Sequence, residues 1–486
     1  MPTLAQQNDE ARIAFSESLG PVDYYCSPQI ETSFPVGGVY DGLLAAREGG
    51  LQPALATSWK RIDSTTLEFK FREGIRFHNG NLFDADDVVY TLNWVIDEKT
   101  RIPGKNRFDW IKGAEKTGKD TVRVFLLQPF ALDLLALATR QPMLDGETHR
   151  KLENKCDYGR LSPVGTGPYK VTSHDTNQGI RLVASENPRS GKARPGSVKR
   201  FHIISVPDRQ TQLAKLLVGE IDVVRGLSKD EVVNLSRQEG IDISFVETFD
   251  MVHLWIDASG RSGNAALKDV RVRRAIFSAI NRAEIGHEFF PGNSRPLARI
   301  CFTGQFGCPA DTAPIPFDPE VARSLLREAG YGNGFDLAIY VNATEKYLAE
   351  AVSGYLDKIG IRTSIQSLTQ TVFRKTRPKG VFQMVVDQGA FGNFAHVCYG
   401  LRSYVNVHTV DYWKDEGLVA LVEKGCQTHD PVEQRVLFRR VLDQIHDQAL
   451  AVAFSAPTAF ASRRLRLHPD PGQSYGLTLE TIGWKQ

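Results

Sequence analysis

The segment LEFKFREGIRFHNGNLFDADDVV at residues 67–89 combines a strand, a turn and the start of a helix. Apolar and charged residues alternate through its first part, 67–71, and this period of two predicts a half-buried strand. Asp84 precedes the apolar helical run, where its side chain is suited to cap the first turn, and the helix dipole favours the acidic residues that follow. Capping therefore explains the cluster of Asp84, Asp86 and Asp87 better than a metal site does.

Strands and helices alternate in the same way along the rest of the chain. Asp430 and Pro431 open a helix whose apolar residues recur at intervals of four, and proline is suited to the first helical position. Short apolar strands separate the predicted helices, for example at 201–206, 221–224 and 382–386. The pattern predicts an α/β fold in which helices cover the sheets.

The bulk composition is that of a globular protein with more than one hydrophobic core. At 486 residues the chain exceeds the roughly 250–300 residues at which a single core stops growing, so two or more lobes are expected. The net charge is +2, with basic and acidic residues interspersed, and this balance gives no electrostatic footprint for nucleic acid or an anionic membrane. No stretch approaches the roughly 18 apolar residues that a membrane-spanning helix needs.

The start of the chain and its cysteines bear on the cellular compartment. Met1 is followed by Pro-Thr-Leu-Ala-Gln-Gln, which resembles the end of a cleavage region and predicts that an apolar leader has been removed. The alternative is a cytoplasmic protein that begins at Met1. The six cysteines contain no CxxC pair, which argues against a zinc ribbon or a thioredoxin-type site. Cys301 and Cys308 bracket a glycine-rich loop, where they either form a local disulfide or remain buried thiols.

Sequence motifs for catalysis are missing from the chain. It has no HExxH motif, no GxxxxGKS or GxxxxGKT phosphate loop and no GxSxG nucleophile elbow. The eleven histidines are scattered, without the spacing of metal ligands. We therefore expect no catalytic residue, no resident metal and no cofactor, although a metal can arrive as part of a ligand.

A set of motifs appears in a fixed order along the chain: PALATSW at 53–59, FHNG at 77–80, FDADDVV at 83–89, PVGTGPY at 163–169, DVRVRRA at 269–275 and FDP at 317–319. In this order and spacing the sequence resembles the extracytoplasmic solute-binding proteins of family 5, the peptide and nickel group of ABC importers. Each motif is weak alone, and together they are specific. The resemblance extends from near residue 35 to beyond residue 450.

The resemblance implies a two-lobed periplasmic-binding-protein (Venus-flytrap) fold with mixed sheets and an extra inserted subdomain. Two crossover segments, near 248–254 and 451–457, are expected to form the hinge between the lobes. The expected division of the chain is lobe I at 1–37, subdomain Ib at 38–167, lobe I again at 168–247, lobe II at 248–452 and lobe I at 453–486.

The resemblance also implies a function in uptake. Such a protein binds a small solute between its lobes, closes on it and delivers it to the transmembrane permease subunits, while a separate ATPase drives transport. It is expected in the periplasm, as a monomer, with no enzymatic activity and no nucleic-acid partner. A receptor that signals without import is one alternative. A hydrolase on an unrecognised two-lobed fold is another, and it would need a catalytic constellation in its cleft.

Three residues resemble the ligand pocket of the nickel-binding branch: Arg107, Trp110 and Arg140. In that branch such arginines hold the carboxylates of a metal chelate, and the tryptophan packs on its organic skeleton. A guanidinium matches a carboxylate with two parallel hydrogen bonds. These residues predict an anionic ligand, such as a polycarboxylate, a metal chelate or an opine-like acid, unless both arginines are surface ion-pair residues.

A peptide is the alternative ligand within the family. Peptide-binding members resemble one another in an aspartate of the second lobe that pairs with the peptide amine. The matching stretch here, 387–394, lacks this acid unless Asp387 substitutes for it. Further candidate pocket residues, each equally compatible with a core or loop role, are Tyr24, Tyr25, Phe391, Asn393, His396, Arg402 and Tyr404.

Overall fold

The computed structural model describes residues 9–27, 30–47, 50–161, 163–186, 196–390, 395–405, 412–469 and 476–485. The chain divides into two compact units, which we call unit 1 (Met1–Val246 with Ala459–Gln486) and unit 2 (Glu247–Thr458). It leaves unit 1 after Val246 and returns to it at Ala459. The finer division of unit 1 into a lobe and an inserted subdomain stays a prediction.

Short strands are spread over both units. The strands in the described part of the chain are β1 (Glu10–Phe15), β2 (Leu44–Arg47), β3 (Gly50–Pro53), β4 (Ala56–Asp63), β5 (Thr66–Phe71), β6 (Ile111–Gly118), β7 (Thr121–Leu126), β8 (Tyr169–Asp175), β9 (Gly179–Ala184), β10 (Arg200–Ser205), β11 (Val223–Arg225), β12 (Asp242–Val246), β13 (Asp250–Ile256), β14 (Pro296–Leu297), β15 (Asp336–Asn342), β16 (Arg362–Leu368), β17 (Met384–Ala390), β18 (Ala451–Ser455), β19 (Thr458–Ser462), β20 (Leu465–Leu467) and β21 (Ile482–Trp484).

Helices connect and cover these strands. The α-helices in the described residues are α1 (Ile30–Val39), α2 (Ala85–Ile96), α3 (Asp133–Thr139), α4 (Gly146–Lys151), α5 (Tyr158–Leu161), α6 (Arg209–Leu217), α7 (Lys229–Leu235), α8 (Val270–Ala279), α9 (Arg282–Phe289), α10 (Pro319–Glu328), α11 (Lys346–Asp357), α12 (Gln370–Thr376), α13 (Val397–Tyr404), α14 (Glu416–Gln427) and α15 (Pro431–Asp447). Short 3-10 helices lie at Lys105–Phe108, Lys155–Asp157, Ala265–Lys268, Ala343–Glu345, Arg377–Lys379 and Leu479–Thr481. Within the described part of the chain, no helix is long and apolar enough to cross a membrane.

Unit 1 contains a seven-stranded mixed sheet in the order β12-β19-β11-β1-β10-β9-β8. Its central strand β1 is parallel to both neighbours, β10 and β11, while β9 runs antiparallel to β10. A second, antiparallel sheet has the order β4-β5-β7-β6. The predicted strand at 67–71 is β5 of this sheet, where Leu67 and Phe69 are fully buried and the alternating charged residues are not.

The predicted cap of the following helix is also present. Asp84 accepts a hydrogen bond from the main-chain N–H of Asp86 at 2.7 Å. Asp87 completes a capping box, because its carboxylate accepts from the main-chain N–H of Asp84 at 3.1 Å. Asp84 and Asp87 therefore cap the N-terminus of α2, as the sequence predicted.

Unit 2 is built on a six-stranded mixed sheet in the order β14-β18-β13-β17-β15-β16. The strand β15 is parallel to both β16 and β17, which lie on opposite sides of it. The chain therefore goes from β15 to β16 on one side and then to β17 on the other. Such a change of direction leaves a crevice at the carboxyl ends of the strands, where open α/β sheets bind ligands.

All six cysteines are paired, in the bridges Cys26–Cys156, Cys301–Cys308 and Cys398–Cys426. The local bridge Cys301–Cys308 is one of the two alternatives that the sequence left open. The other two bridges join cysteines that lie 130 and 28 residues apart. Cys26–Cys156 lies within unit 1, and the other two lie within unit 2.

Candidate functional site

A pocket with a volume of about 130 Å³ is present in unit 1. Its apolar wall comes from the end of α1, from β2 and from the end of α3. Polar groups at its edge come from Tyr24, Asp41, Thr139, Thr478 and Glu480. Small-molecule sites are usually concave and combine apolar walls with a few polar groups, and this pocket has apolar and polar surface in about equal parts.

The two predicted tyrosines have different surroundings. Tyr24 is half-buried and lines the pocket. Tyr25 is 1% exposed, and its hydroxyl donates to the carbonyl oxygen of Pro142 at 2.6 Å. Its ring packs edge-on against Trp94, with the centroids 5.5 Å apart. The structure thus brings Tyr24 to the pocket and places Tyr25 in the core behind it.

Arg107 lies beside Tyr24. Its Nη2 donates to the carbonyl oxygens of Tyr24 and Tyr25, at 3.4 and 3.5 Å, and its guanidinium carbon is 4.9 Å from the centre of the Tyr24 ring. The indole N–H of Trp110 donates to the carbonyl oxygen of Arg107 at 3.1 Å, and the indole ring packs on Phe130. Arg107 thus contacts both Tyr24 and Trp110, and the role of these residues in binding a ligand stays a prediction.

Arg140 directly follows the last residue of α3 and is its C-cap. Its main-chain N–H donates to the carbonyl oxygen of Ala136 at 2.8 Å, and its side chain is half-buried. The two residues before it, Ala138 and Thr139, line the same pocket as Tyr24. The structure places Arg140 beside the pocket wall.

Asp23 is a residue of this region that the sequence did not single out. Its side chain is 4% exposed, and its Oδ1 accepts the main-chain N–H groups of Tyr25 and Cys26 at 2.6 and 3.2 Å. Burial raises the pKa of Asp23 to about 6, although these two hydrogen bonds and the nearby charge of Arg107 act in the opposite direction. An acid that bonds the backbone two residues ahead is a common turn former, and that pattern was the available signal.

Two of the motifs that carried the resemblance lie beside residues that line the pocket or adjoin its lining. The hydroxyl of Thr166, from PVGTGPY, donates to Oδ2 of Asp41 at 2.9 Å. Gly167 has no side chain because a Cβ there would lie 2.5 Å from the carbonyl oxygen of Gly38, at the end of α1. His78, from FHNG, contacts the carbonyl oxygen of Gly167 through Nε2 at 2.9 Å. The motifs that carried the resemblance thus pack α1 against the strand that follows them.

The predicted site residues of unit 2 that the structure describes interact with other parts of the protein. His396 caps α13 through Nδ1, which accepts from the main-chain N–H of Cys398, and burial lowers its pKa to about 4. Arg402 forms a two-bonded ion pair with Glu423, at 2.9 and 3.0 Å. Tyr404 is 5% exposed and stacks on Trp413. Phe391 and Asn393 lie outside the described residues.

Unit 2 has an acidic pair, Glu345 and Asp387, near the carboxyl ends of β15 and β17. Glu345 follows β15, and its Oε2 accepts from the main-chain N–H of Gln388, in β17, at 2.8 Å. Burial, with a smaller contribution from the charge of Asp387, raises the pKa of Glu345 to about 7, although the hydrogen bond from Gln388 acts in the opposite direction. Oδ2 of Asp387 lies 3.5 Å from Nε2 of the buried His253. Only Asp387 was named from the sequence, because Glu345 is 42 residues away and nothing local points to it.

These groups can bind a solute through hydrogen bonds, ion pairs and aromatic contacts. Among the residues that the structure describes, no group of three or more His, Cys, Asp or Glu side chains is arranged to hold a metal ion. Recognition by these side chains requires no bond to be made or broken.

A family model matches this chain over residues 50–406, and its description is the middle part of the bacterial extracellular solute-binding proteins of family 5. The match covers all but the ends of the chain. It includes the motifs from PALATSW to FDP that carried the resemblance.

Three known proteins are similar over most of their length. Heme-binding protein A of Haemophilus influenzae is 25% identical over 480 residues, covering 88% of this chain and 84% of that protein. The dipeptide-binding protein of Escherichia coli is 22% identical, covering 84% and 81%. The crystal structure of NikA from Brucella suis in complex with Fe(III)-EDTA has the same fold, with a TM-score of 0.84 and 21% identity over 98% of this chain and all of that one.

Proposed function

The chain belongs to the bacterial extracellular solute-binding proteins of family 5, and from this membership we propose that it is the periplasmic substrate-binding subunit of an ABC importer. The family is one of solute-binding proteins, and the α/β fold with mixed sheets extends over nearly the whole chain. The match of the family model to residues 50–406 is the observation that carries the proposal. In this role the protein binds a solute and delivers it to the permease subunits, without catalysis and without a resident cofactor.

The cysteine pairing supports a location outside the cytoplasm. Three disulfides that use every cysteine of the chain are typical of proteins in oxidising compartments, because cytosolic reductants keep thiols reduced. The bacterial periplasm is such a compartment. It is also the place where a binding protein meets the solute before import.

We further propose that the solute is acidic. Arg107 lies against the ring of Tyr24, which lines the pocket of unit 1, and Trp110 donates a hydrogen bond to the main chain of Arg107. Arg140 directly follows Thr139, another residue of the lining. The structural relative from Brucella suis is in complex with Fe(III)-EDTA, a chelate rich in carboxylates. A polycarboxylate, a metal chelate or an opine-like acid would suit such a wall.

A peptide is the second candidate, and the acidic pair of unit 2 favours it. Glu345 and Asp387 meet at the carboxyl ends of β15 and β17, where an ammonium group would find a negative partner. The dipeptide-binding relative from Escherichia coli supports this candidate as well.

Native mass spectrometry of the protein secreted into a bacterial periplasm tests the proposal. We expect a bound small molecule that is released on denaturation and whose mass identifies it as acidic, peptidic or both. Isothermal titration with the identified compound should then give one site per chain. A protein that carries no solute and binds none from a periplasmic extract contradicts the proposed function, and turnover of the compound contradicts its non-catalytic character.

A further inference from the structure

We propose that the Cys26–Cys156 disulfide and the Asp23 carboxylate act as positioning groups that hold Tyr24 in its solute-binding place, so that reduction of this one bridge weakens binding. This inference rests on the proposed function, because it concerns the same pocket. It assigns a role to two elements that do not touch the solute themselves. Tyr24 lies in residues 22–27, which we call the Tyr24 segment.

The carbonyl groups of the Tyr24 segment are held by side chains from distant parts of unit 1. The hydroxyl of Tyr40, in the turn after α1, donates to the carbonyl oxygen of Val22 at 2.9 Å. The guanidinium of Arg107 donates to the carbonyl oxygens of Tyr24 and Tyr25. A segment without regular secondary structure thus has its main-chain acceptors satisfied from two sides.

The N–H groups of the segment depend on Asp23 and on α5. Oδ1 of Asp23 accepts from both Tyr25 and Cys26, which fixes the turn that presents the Tyr24 side chain. The main-chain N–H of Val22 donates to the carbonyl oxygen of Gly159, in α5, at 2.8 Å. Loss of the Asp23 acceptor would leave two buried donors without their partner.

The disulfide fastens the segment to the same part of unit 1 as Gly159 does. Cys156 lies in the 3-10 helix that leads directly into α5. Gly159 lets the two main chains touch, because a Cβ there would lie 2.7 Å from the carbonyl oxygen of Val22 and 2.5 Å from Cβ of Asp23. The backbone contact therefore holds the stretch 22–26 at Val22, and the covalent bond holds it at Cys26.

The physical consequence is preorganisation. Tyr24 lies between the turn fixed by Asp23 and the bridge at Cys26, and its ring faces both Arg107 and the pocket. A rigid binding group loses little entropy when the solute arrives, so the affinity is higher than for a mobile loop with the same side chains. Opening the bridge restores that mobility without removing any group that contacts the solute.

The test compares the wild-type protein with a Cys26→Ser, Cys156→Ser double variant and with Asp23→Ala. Hydrogen–deuterium exchange followed by mass spectrometry measures the peptide that covers residues 19–27. We expect exchange there to be faster by about tenfold or more in both variants, since one loses the covalent link at Cys26 and the other loses the acceptor for the N–H groups of Tyr25 and Cys26. Peptides from β1 and β10, in the same unit, should keep their wild-type protection.

The matched control is the Cys301→Ser, Cys308→Ser double variant, which removes a bridge of unit 2. It should leave exchange at 19–27 unchanged. Titration with Fe(III)-EDTA and with dialanine then measures affinity, and for the probe that the wild type binds we expect weakening of about tenfold in the bridge variant and none in the control. Dithiothreitol should weaken binding by the wild type and leave the bridge variant unaffected.

Three outcomes would overturn the inference. One is unchanged exchange at 19–27 in both variants. Another is loss of protection throughout unit 1, which would mean a merely structural bridge. The third is faster exchange with full affinity. If the wild-type protein binds neither probe, that result contradicts the proposed ligand classes. The exchange measurement alone then tests the inference.

Discussion

Unit 1 and unit 2 each carry a disulfide beside residues that the sequence marked as a binding wall, and the outcome differs between them. In unit 1, Tyr24 lines a pocket two residues before Cys26 of the Cys26–Cys156 bridge, and Arg107 lies against its ring. In unit 2, His396 and Tyr404 lie near Cys398–Cys426, where one caps a helix and the other fills the core. The difference teaches that residue type indicates what a side chain is able to do, while its partners decide whether it is available to a ligand.

The largest expected effect separates the two predicted tyrosines. Tyr404→Ala should lower the free energy of unfolding by about 3–5 kcal/mol, because it empties a buried aromatic site that stacks on Trp413. Tyr24→Ala should cost far less stability and weaken solute binding instead. Urea unfolding and calorimetric titration of both variants measure the two quantities. Equal losses of stability in the two variants would contradict the distinction between Tyr404 as a core residue and Tyr24 as a binding residue.

The arginines offer the next comparison. Arg107→Ala and Arg140→Ala should each weaken binding of an acidic solute by about 1.5–3 kcal/mol, the scale of a hydrogen bond to a charged group. Arg402→Ala is the matched control, and it should leave the affinity unchanged because its guanidinium is paired with Glu423 in unit 2. Surface ion pairs of this kind contribute about 1 kcal/mol or less to the free energy of unfolding, so the control should also stay folded. Calorimetry with the co-purified solute measures all three. Unchanged affinity in both pocket variants would eliminate the acidic-ligand proposal and leave the receptor function standing.

The smallest expected effect concerns Glu345 and pH. Its pKa is about 7 in the folded protein, against 4.5 for an ordinary glutamate, so between these values the folded state holds a proton that the unfolded state has lost. Stability from this group is therefore present below pH 4.5 and falls as the pH rises to about 7. Glu345→Gln should remove about 2 kcal/mol of that pH dependence, a magnitude reduced for partial exposure.

Urea unfolding of the wild type and Glu345→Gln at pH 4.5 and pH 8 measures this effect. The difference in stability between the two proteins should favour the variant at the higher pH. A difference that is independent of pH would mean that Glu345 keeps its charge in the fold. The same measurement on Asp23→Asn gives the unit 1 counterpart, because burial also raises the pKa of Asp23.

Local features of the fold could be predicted from the sequence, because the atoms that decide them are close in the chain. The strand at 67–71 and the Asp84 cap each depend on a few neighbouring residues, and both are confirmed. The bridge between Cys26 and Cys156 spans 130 residues, and no local pattern encodes which distant thiol is the partner. The one bridge that was considered, Cys301–Cys308, is the one with a separation of 7.

The candidate site shows the same difference between features that local sequence encodes and features that depend on distant residues. Arg107 and Trp110 were found through a short motif, and the structure places them together with Tyr24. Tyr25 could not be told from Tyr24, since adjacent residues of a loop point in different directions and only the packing against Trp94 shows which is buried. Glu345 was missed because its role depends on a sheet crossover that brings it beside Gln388.

The position of β19 has a consequence for synthesis of the protein. In the sheet of unit 1 this strand lies between β11 and β12, so it joins β12 to the rest of the sheet. The ribosome makes it only after the whole of Glu247–Thr458, and at roughly 5–20 residues per second that delay lasts many seconds. During this interval β11 and β12 lack the strand that lies between them, so the sheet of unit 1 is completed only near the end of synthesis.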